Sequence, residues 1–117
     1  MEPIFNREGK TVGWINGDAI IDRNGLHRAF IDNGAVYTYR SRYLGRFEKG
    51  FLRDRNGRVV AFVRGASGGP TTPTTEVPPI PPSPSIPPVA AIPPAPPTTS
   101  VWWLGWSVLD FEGFLND

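Results

Sequence analysis

Apolar positions recur along residues 4–67 with a period of 16. Ile4, Ile20, Val36 and Leu52 open four units, each followed five residues later by Gly9, Gly25, Ser41 and Gly57. Four further on stand the small residues Gly13, Ala29, Gly45 and Ala61, and two beyond them Ile15, Ile31, Phe47 and Val63. No insertion breaks the register, which makes this an internal repeat of one supersecondary unit. Within a unit, short runs rich in β-branched and aromatic residues predict strands. Glu8-Gly9, Asn24-Gly25 and Asn56-Gly57 predict hairpin turns, because such turns need residues that tolerate positive φ. Arg40-Ser41 is the deviant third copy. Second turns at Asn16-Gly17, Asn33-Gly34, Lys49-Gly50 and Arg64-Gly65 lead from each copy to the next. The pattern predicts an all-β fold of four tandem 16-residue hairpins with pseudo-fourfold symmetry, a meander of about eight short strands.

Alternation along each strand divides the faces. The small column at 13, 29, 45 and 61 suits close approach of backbones near a shared axis. Its neighbours at 15, 31, 47 and 63, with Ile4, Ile20, Val36 and Leu52, form the expected core. The opposite column is Trp14, Phe30, Arg46 and Phe62. Trp14, Phe30 and Phe62 read either as cover for the hairpin roots or as an aromatic contact surface. Asp22 and Asp54 share a column with Asn6 and Thr38, and capping the turn is their expected role.

Composition changes after the repeat, and it divides the chain into a repeat domain at 1–67, a proline-rich linker at 68–100 and a Trp-rich segment at 101–117. Thirteen of the 14 prolines lie after Gly69. That density excludes helix and sheet and favours polyproline II, a semi-rigid spacer reaching about 90 Å over thirty residues. Steps such as Pro78-Pro79-Ile80-Pro81 also suit an aromatic groove on a partner. Trp102, Trp103 and Trp106 put three of the four tryptophans within five residues, ahead of the apolar Phe111, Phe114 and Leu115. A short helix is expected there, with Ser107 and Asp110 as a capping box, and it needs docking for stability. Two docking sites compete, the chain's own repeat domain and a protein partner or second copy. Membrane contact is opposed by the acidic Asp110, Glu112 and Asp117.

Charge sharpens the division. All 12 Lys and Arg precede residue 70, with 7 acidic residues, and the remaining 4 acidic residues follow it, so a domain of about +5 carries a tail of about −4. Arg7, Arg23 and Arg55, with Tyr39 in the same column, are the candidate charged surface. An Arg-rich face with aromatic residues suits a nucleic-acid strand, but acidic residues are interspersed and no nucleic-acid motif is present. The favoured reading is a binding or interaction module, and nucleic acid is the alternative. With no cysteine and a single histidine, His27, the sequence offers no metal cluster, no cofactor motif and no nucleophile–base pair, so no enzyme activity is expected. There is no stretch of about 20 apolar residues and no secretory signal pattern, and the expected compartment is the cytoplasm.

The openings Ile4-Phe5-Asn6-Arg7-Glu8-Gly9, Ile20-Ile21-Asp22-Arg23-Asn24-Gly25 and Leu52-Arg53-Asp54-Arg55-Asn56-Gly57, with closings Gly13-Trp14-Ile15, Ala29-Phe30-Ile31 and Ala61-Phe62-Val63, resemble those of the fourfold β-flower family of bacterial proteins. The resemblance covers about 64 residues and implies hairpin petals radiating around a pseudo-fourfold axis. The third copy departs at Thr38, Ser41 and Arg46, which implies a petal of different shape. No activity and no catalytic residue transfers with the resemblance.

Overall fold

The structure is a computed structural model that describes residues 1–90, 92–97 and 102–117. Residues 98–101, where the expected linker meets the Trp-rich segment, lie outside the described residues. Eight strands run in sequence order: β1 (Glu2–Phe5), β2 (Thr11–Asn16), β3 (Ala19–Asp22), β4 (His27–Asp32), β5 (Ala35–Tyr37), β6 (Tyr43–Glu48), β7 (Phe51–Asp54) and β8 (Val59–Phe62). Each is antiparallel to the next, and β8 returns to β1 through Phe5 and Phe62, closing a barrel. Closure removes the sheet edges that a four-hairpin meander would otherwise expose. The tips between the paired strands of each unit are the four petals.

Petal tips follow the turn chemistry. Asn6 Oδ1 accepts from the amides of Glu8 and Lys10, and Asp22 Oδ1 from Asn24 and Leu26. Asp54 Oδ1 does the same for Asn56 and Arg58, so both aspartates cap turns as their position implies. In the third petal the shorter Thr38 hydroxyl holds only the Arg42 amide, and Ser41 takes the positive φ that glycine takes in the other three. The first inter-petal turn falls at Gly17-Asp18, one residue later than expected, because Gly17 supplies the positive φ and Asn16 still belongs to β2.

Inside the barrel, each large apolar residue faces a small one across the strands: Ile4 and Gly13, Ile20 and Ala29, Val36 and Gly45, Leu52 and Ala61. The small partner is a steric requirement at Gly45, where an added Cβ would stand 2.0 Å from the Arg53 carbonyl oxygen. A β-bulge follows at the same point in every petal, between Ile4 and Phe5 and at its three equivalents. The extra residue turns Val12, Leu44 and Val60 toward the core. Ile15, Ile31 and Phe47, expected at its centre, are therefore only half-buried at its margin, beside the inter-petal turns; Val63 alone of that column is buried.

The remaining space is filled by the C-terminal segment. Helix α1 (Phe111–Leu115) buries Phe111, Phe114 and Leu115 among Ile4, Ile20, Val36 and Leu52. The Phe111 ring lies 3.2 Å from where a Cβ on Gly13 would be, so it occupies room that glycine leaves. A five-residue helix has no stability of its own in water and exists here through this burial. Its N-cap is Asp110, whose Oδ1 accepts from the Gly113 amide, and the expected cap Ser107 is displaced because its own amide is bonded to Val59 in an extended strand. Phe114→Ala should therefore destabilise the whole protein, by about 3–5 kcal/mol in urea-induced unfolding, a core-sized loss that a loosely attached tail would not give.

Candidate functional site

By alternation the residues after Ile4, Ile20, Val36 and Leu52 point out of the barrel, yet Phe5, Ile21, Tyr37 and Arg53 are fully buried. While Phe5 packs among Phe51, Val59 and Phe62, Tyr37 and Arg53 meet Pro94 and Gly68 of the proline-rich segment. It was expected to extend as a spacer, but the molecule is a disc of 37 × 35 × 21 Å and the described part of the segment lies around its rim. The Glu76 amide donates to Gly9 O (3.0 Å), Ser85 to Gly25 O (2.8 Å) and Trp103 to Gly57 O (3.2 Å), meeting three petal tips at equivalent points. These contacts fall at steps of nine residues, and the missing one is Pro94. Proline has no N–H to give, and at this petal the bond is reversed: the Tyr37 hydroxyl donates to Pro94 O at 2.6 Å. The segment thus has a nine-residue repeat of its own, Glu76-Val77-Pro78-Pro79-Ile80, Ser85-Ile86-Pro87-Pro88-Val89, Pro94-Ala95-Pro96-Pro97 and Trp103-Leu104-Gly105-Trp106. The three nine-residue steps from Glu76 to Trp103, at about 3.1 Å per residue, span about 84 Å, three quarters of the rim of about 113 Å that a disc of these dimensions has. Proline supplies the extended conformation that makes nine residues reach one quarter of the way round.

Arg53 fastens this belt. Its guanidinium donates to Gly57 O at 2.7 Å, to Trp103 O at 2.6 Å and to Gly68 O at 3.0 Å, joining the fourth petal tip to the last and first turns of the belt. Trp102 and Phe51 lie at 5.0 and 5.6 Å from its Cζ, and Glu48 is its nearest carboxylate at 3.6 Å from Nε. Burial pulls its pKa below the ordinary value, opposed by Glu48 and Asp54. The other belt tryptophans also meet arginines, Trp103 under Arg58 at 4.8 Å and Trp106 under Arg7 at 5.9 Å. Trp106 forms a parallel bridge with Val59, and its ring packs edge-on to Phe62.

The acidic tail pairs with the basic domain at defined places. Arg28 bridges Asp22 (3.1 Å) and Glu112 (2.6 Å), and its pKa is raised first by the hydrogen bond it donates to Glu112. Ser107 Oγ donates to Asp54 Oδ2 and accepts from the Leu109 amide. Arg55 faces Asp117 at 3.7 Å. Glu76 accepts the Thr11 amide at 2.8 Å; that bond, with smaller help from Lys10 and Arg23, holds its carboxyl below the usual range.

Between the tips of petals 1 and 2 and the segment Trp106–Glu112 lies a cleft of about 460 Å³. Arg7, Arg23, Trp106 and Phe111 of the sequence-derived candidates meet there, with Asn6, Glu8, Asp22, Asn24 and Asp110 at its polar margin and Val60 and Leu109 as apolar lining. The other candidates lie elsewhere. Trp14 and Phe62 are buried, and Phe30 is half-buried against Tyr37 and Tyr39, so these rings pack the petal roots rather than lie displayed. Trp102 and Trp103 are at the fastening point, Arg55 is at the C-terminus, and Phe114 and Leu115 plug the barrel. Sequence reasoning passed over Tyr37 and Glu76 as contact residues and gave Ser107 only a helix-capping role. The signal that would have found them is the pair Val-Pro-Pro-Ile and Ile-Pro-Pro-Val, nine residues apart. Among the described residues no helix is long and apolar enough to cross a membrane.

Arg53→Met removes the donors for three carbonyls, and hydrogen bonds from a charged group are worth about 1.5–3 kcal/mol each. Equilibrium unfolding should show a loss on the order of 3 kcal/mol, with hydrogen exchange accelerated first at Trp103. The Glu76 carboxyl, lowered on folding, contributes its stabilisation above its ordinary value of 4.5 and loses it as pH falls through the lower folded value. Protection of the Thr11 amide should fall in that acid window, and Glu76→Gln should abolish the pH dependence.

The family model described as 4-fold beta flower protein matches residues 2–115, spanning the hairpins, the belt and the plugging helix. No curated protein and no solved structure matches the chain. With eight hairpin strands closed into a barrel of fourfold repeat and a match over nearly its whole length, the chain belongs to the 4-fold beta flower family.

Proposed function

We propose that this protein is an interaction module that displays its belt, as a preformed polyproline ligand, to a partner with an aromatic-lined groove. The supporting observation is the exposure of Val77, Ile80, Ile86, Val89 and Ile92, each more than nine-tenths open to solvent, on a backbone tied to the petals on either side. A three-residue period puts Val77 with Ile80, and Ile86 with Val89 and Ile92, on one outward side, between prolines in PxxP spacing. Aromatic grooves bind this conformation because little entropy is lost on docking, and the ties to the petals reduce that loss further. The third petal illustrates the chemistry internally: the Tyr37 hydroxyl donates to Pro94 O beside the rings of Phe30 and Tyr43.

In this reading the tryptophan segment is the internal fastener, since its rings rest on Arg53, Arg58 and Arg7. The nucleic-acid alternative gains no support, because Arg55 is turned to Asp117 and the arginine column is not continuous. The test is titration of the isotope-labelled full chain with a panel of recombinant SH3 and WW domains. At least one should shift the Val77–Ile92 signals, and Ile80→Ser with Ile86→Ser should abolish that binding while leaving the petal signals in place. Absence of binding across the panel, or binding that the double variant retains, would overturn the reading.

A further inference from the structure

The fourfold repeat places one residue of the same column on every petal tip: Arg7, Arg23, Tyr39 and Arg55. The folded chain treats them unequally. Tyr39 packs against Phe30 and His27, and Arg55 is taken up by Asp117. Arg7 and Arg23 stand on adjacent tips and line the same cleft, and among the described residues neither has a carboxylate within ion-pair distance. Arg23 gives one nitrogen to Thr11 O at 3.2 Å, which holds the guanidinium in place and leaves further donors.

The carboxylates nearby are engaged by other donors. Asp22 caps its turn and holds Arg28, Glu112 completes that pair, and Asp110 caps α1; Glu8, on the exposed tip, is the exception. The cleft is also lined by Val12, Val59, Val60, Leu109 and Phe111, and by Trp106, over whose ring Arg7 lies at 5.9 Å. Its volume of about 460 Å³ is that of a small-molecule site.

We propose that this cleft binds a small organic oxyanion attached to a flat ring, with Arg7 and Arg23 holding the oxyanion and Trp106 and Leu109 receiving the ring. Two guanidinium forks suit either a carboxylate or a phosphate, and an apolar floor beside them lowers the local dielectric and strengthens the pairing. The site is independent of the belt's outward face, so either proposal stands without the other.

Isothermal titration and indole NMR of the full chain distinguish the sources of the anion. Adenosine monophosphate and indole-3-acetate supply phosphate and carboxylate on a flat ring, inorganic phosphate lacks the ring, and tryptamine reverses the charge. At least one ring-bearing anion should bind and shift the Trp106 indole. Arg7→Gln and Arg23→Gln should each weaken it tenfold or more with the amide spectrum otherwise preserved, and Arg55→Gln should bind as the parent does. Binding of adenosine monophosphate alone assigns the site to phosphates, and binding of indole-3-acetate alone assigns it to carboxylates. No binding by either, equal binding of tryptamine, or indifference to both arginine substitutions contradicts the proposal.

Discussion

A buried guanidinium holds the two ends of a belt together. Arg53 points out of a barrel strand, where its repeat equivalents are Phe5, Ile21 and Tyr37, and it is as fully covered as they are. Removing a charged group from water is expensive unless its donors are satisfied. Here carbonyls of Gly57, Gly68 and Trp103 take up the two terminal nitrogens, Nε has only the Glu48 carboxylate at 3.6 Å, and the Trp103 carbonyl is one that the chain brings up only after passing around the rim. The arginine can be buried because the belt is closed, and the belt is closed because the arginine is there. With it in place the outer column is covered, the strands are apolar on both faces, and the tail is led into the barrel as a plug.

Two repeats of different length share one symmetry. The hairpins advance by 16 residues and the belt by nine, and both make one quarter turn per step. A folded hairpin consumes residues in going out and back, whereas an extended proline segment spends them all on arc length. The fit between the two depends on the disc's width, which the eight short strands set. Where the hairpin repeat degenerates, at Ser41, the belt repeat degenerates too, at Pro94, and a tyrosine hydroxyl replaces the lost amide bond.

The hairpin half of this architecture was legible because turn residues and alternation are local signals. Asn6, Asp22 and Asp54 sit two and four residues ahead of the amides they cap, and the small-for-large pairing along Gly13, Ala29, Gly45 and Ala61 is a column of the repeat itself. The belt was not legible in the same way. Proline density tells the local conformation but not what the segment lies against, and the ties are made by backbone groups, which the side-chain pattern does not encode. The bulge that brings Val12, Leu44 and Val60 inward also escapes a strict two-residue period, since it shifts every side chain after it. The tail's charge and tryptophans left two docking sites open, the chain's own domain and a partner, and the N-cap moved from Ser107 to Asp110 because tertiary bonds outweigh a local motif.

The account rests on the belt and tail being part of the folding unit, and the most direct measurement compares amide NMR spectra of the full chain with those of a chain ending at Gly69. Without residues 70–117 the barrel lacks its plug and its outer column is bare. The shortened chain should lose the dispersed petal signals or show them only with large shifts at Gly9, Gly25 and Gly57, and the full chain should show dispersed indole signals for Trp102, Trp103 and Trp106. Petal signals that superimpose in the two chains, with indoles at random-coil positions, would contradict it.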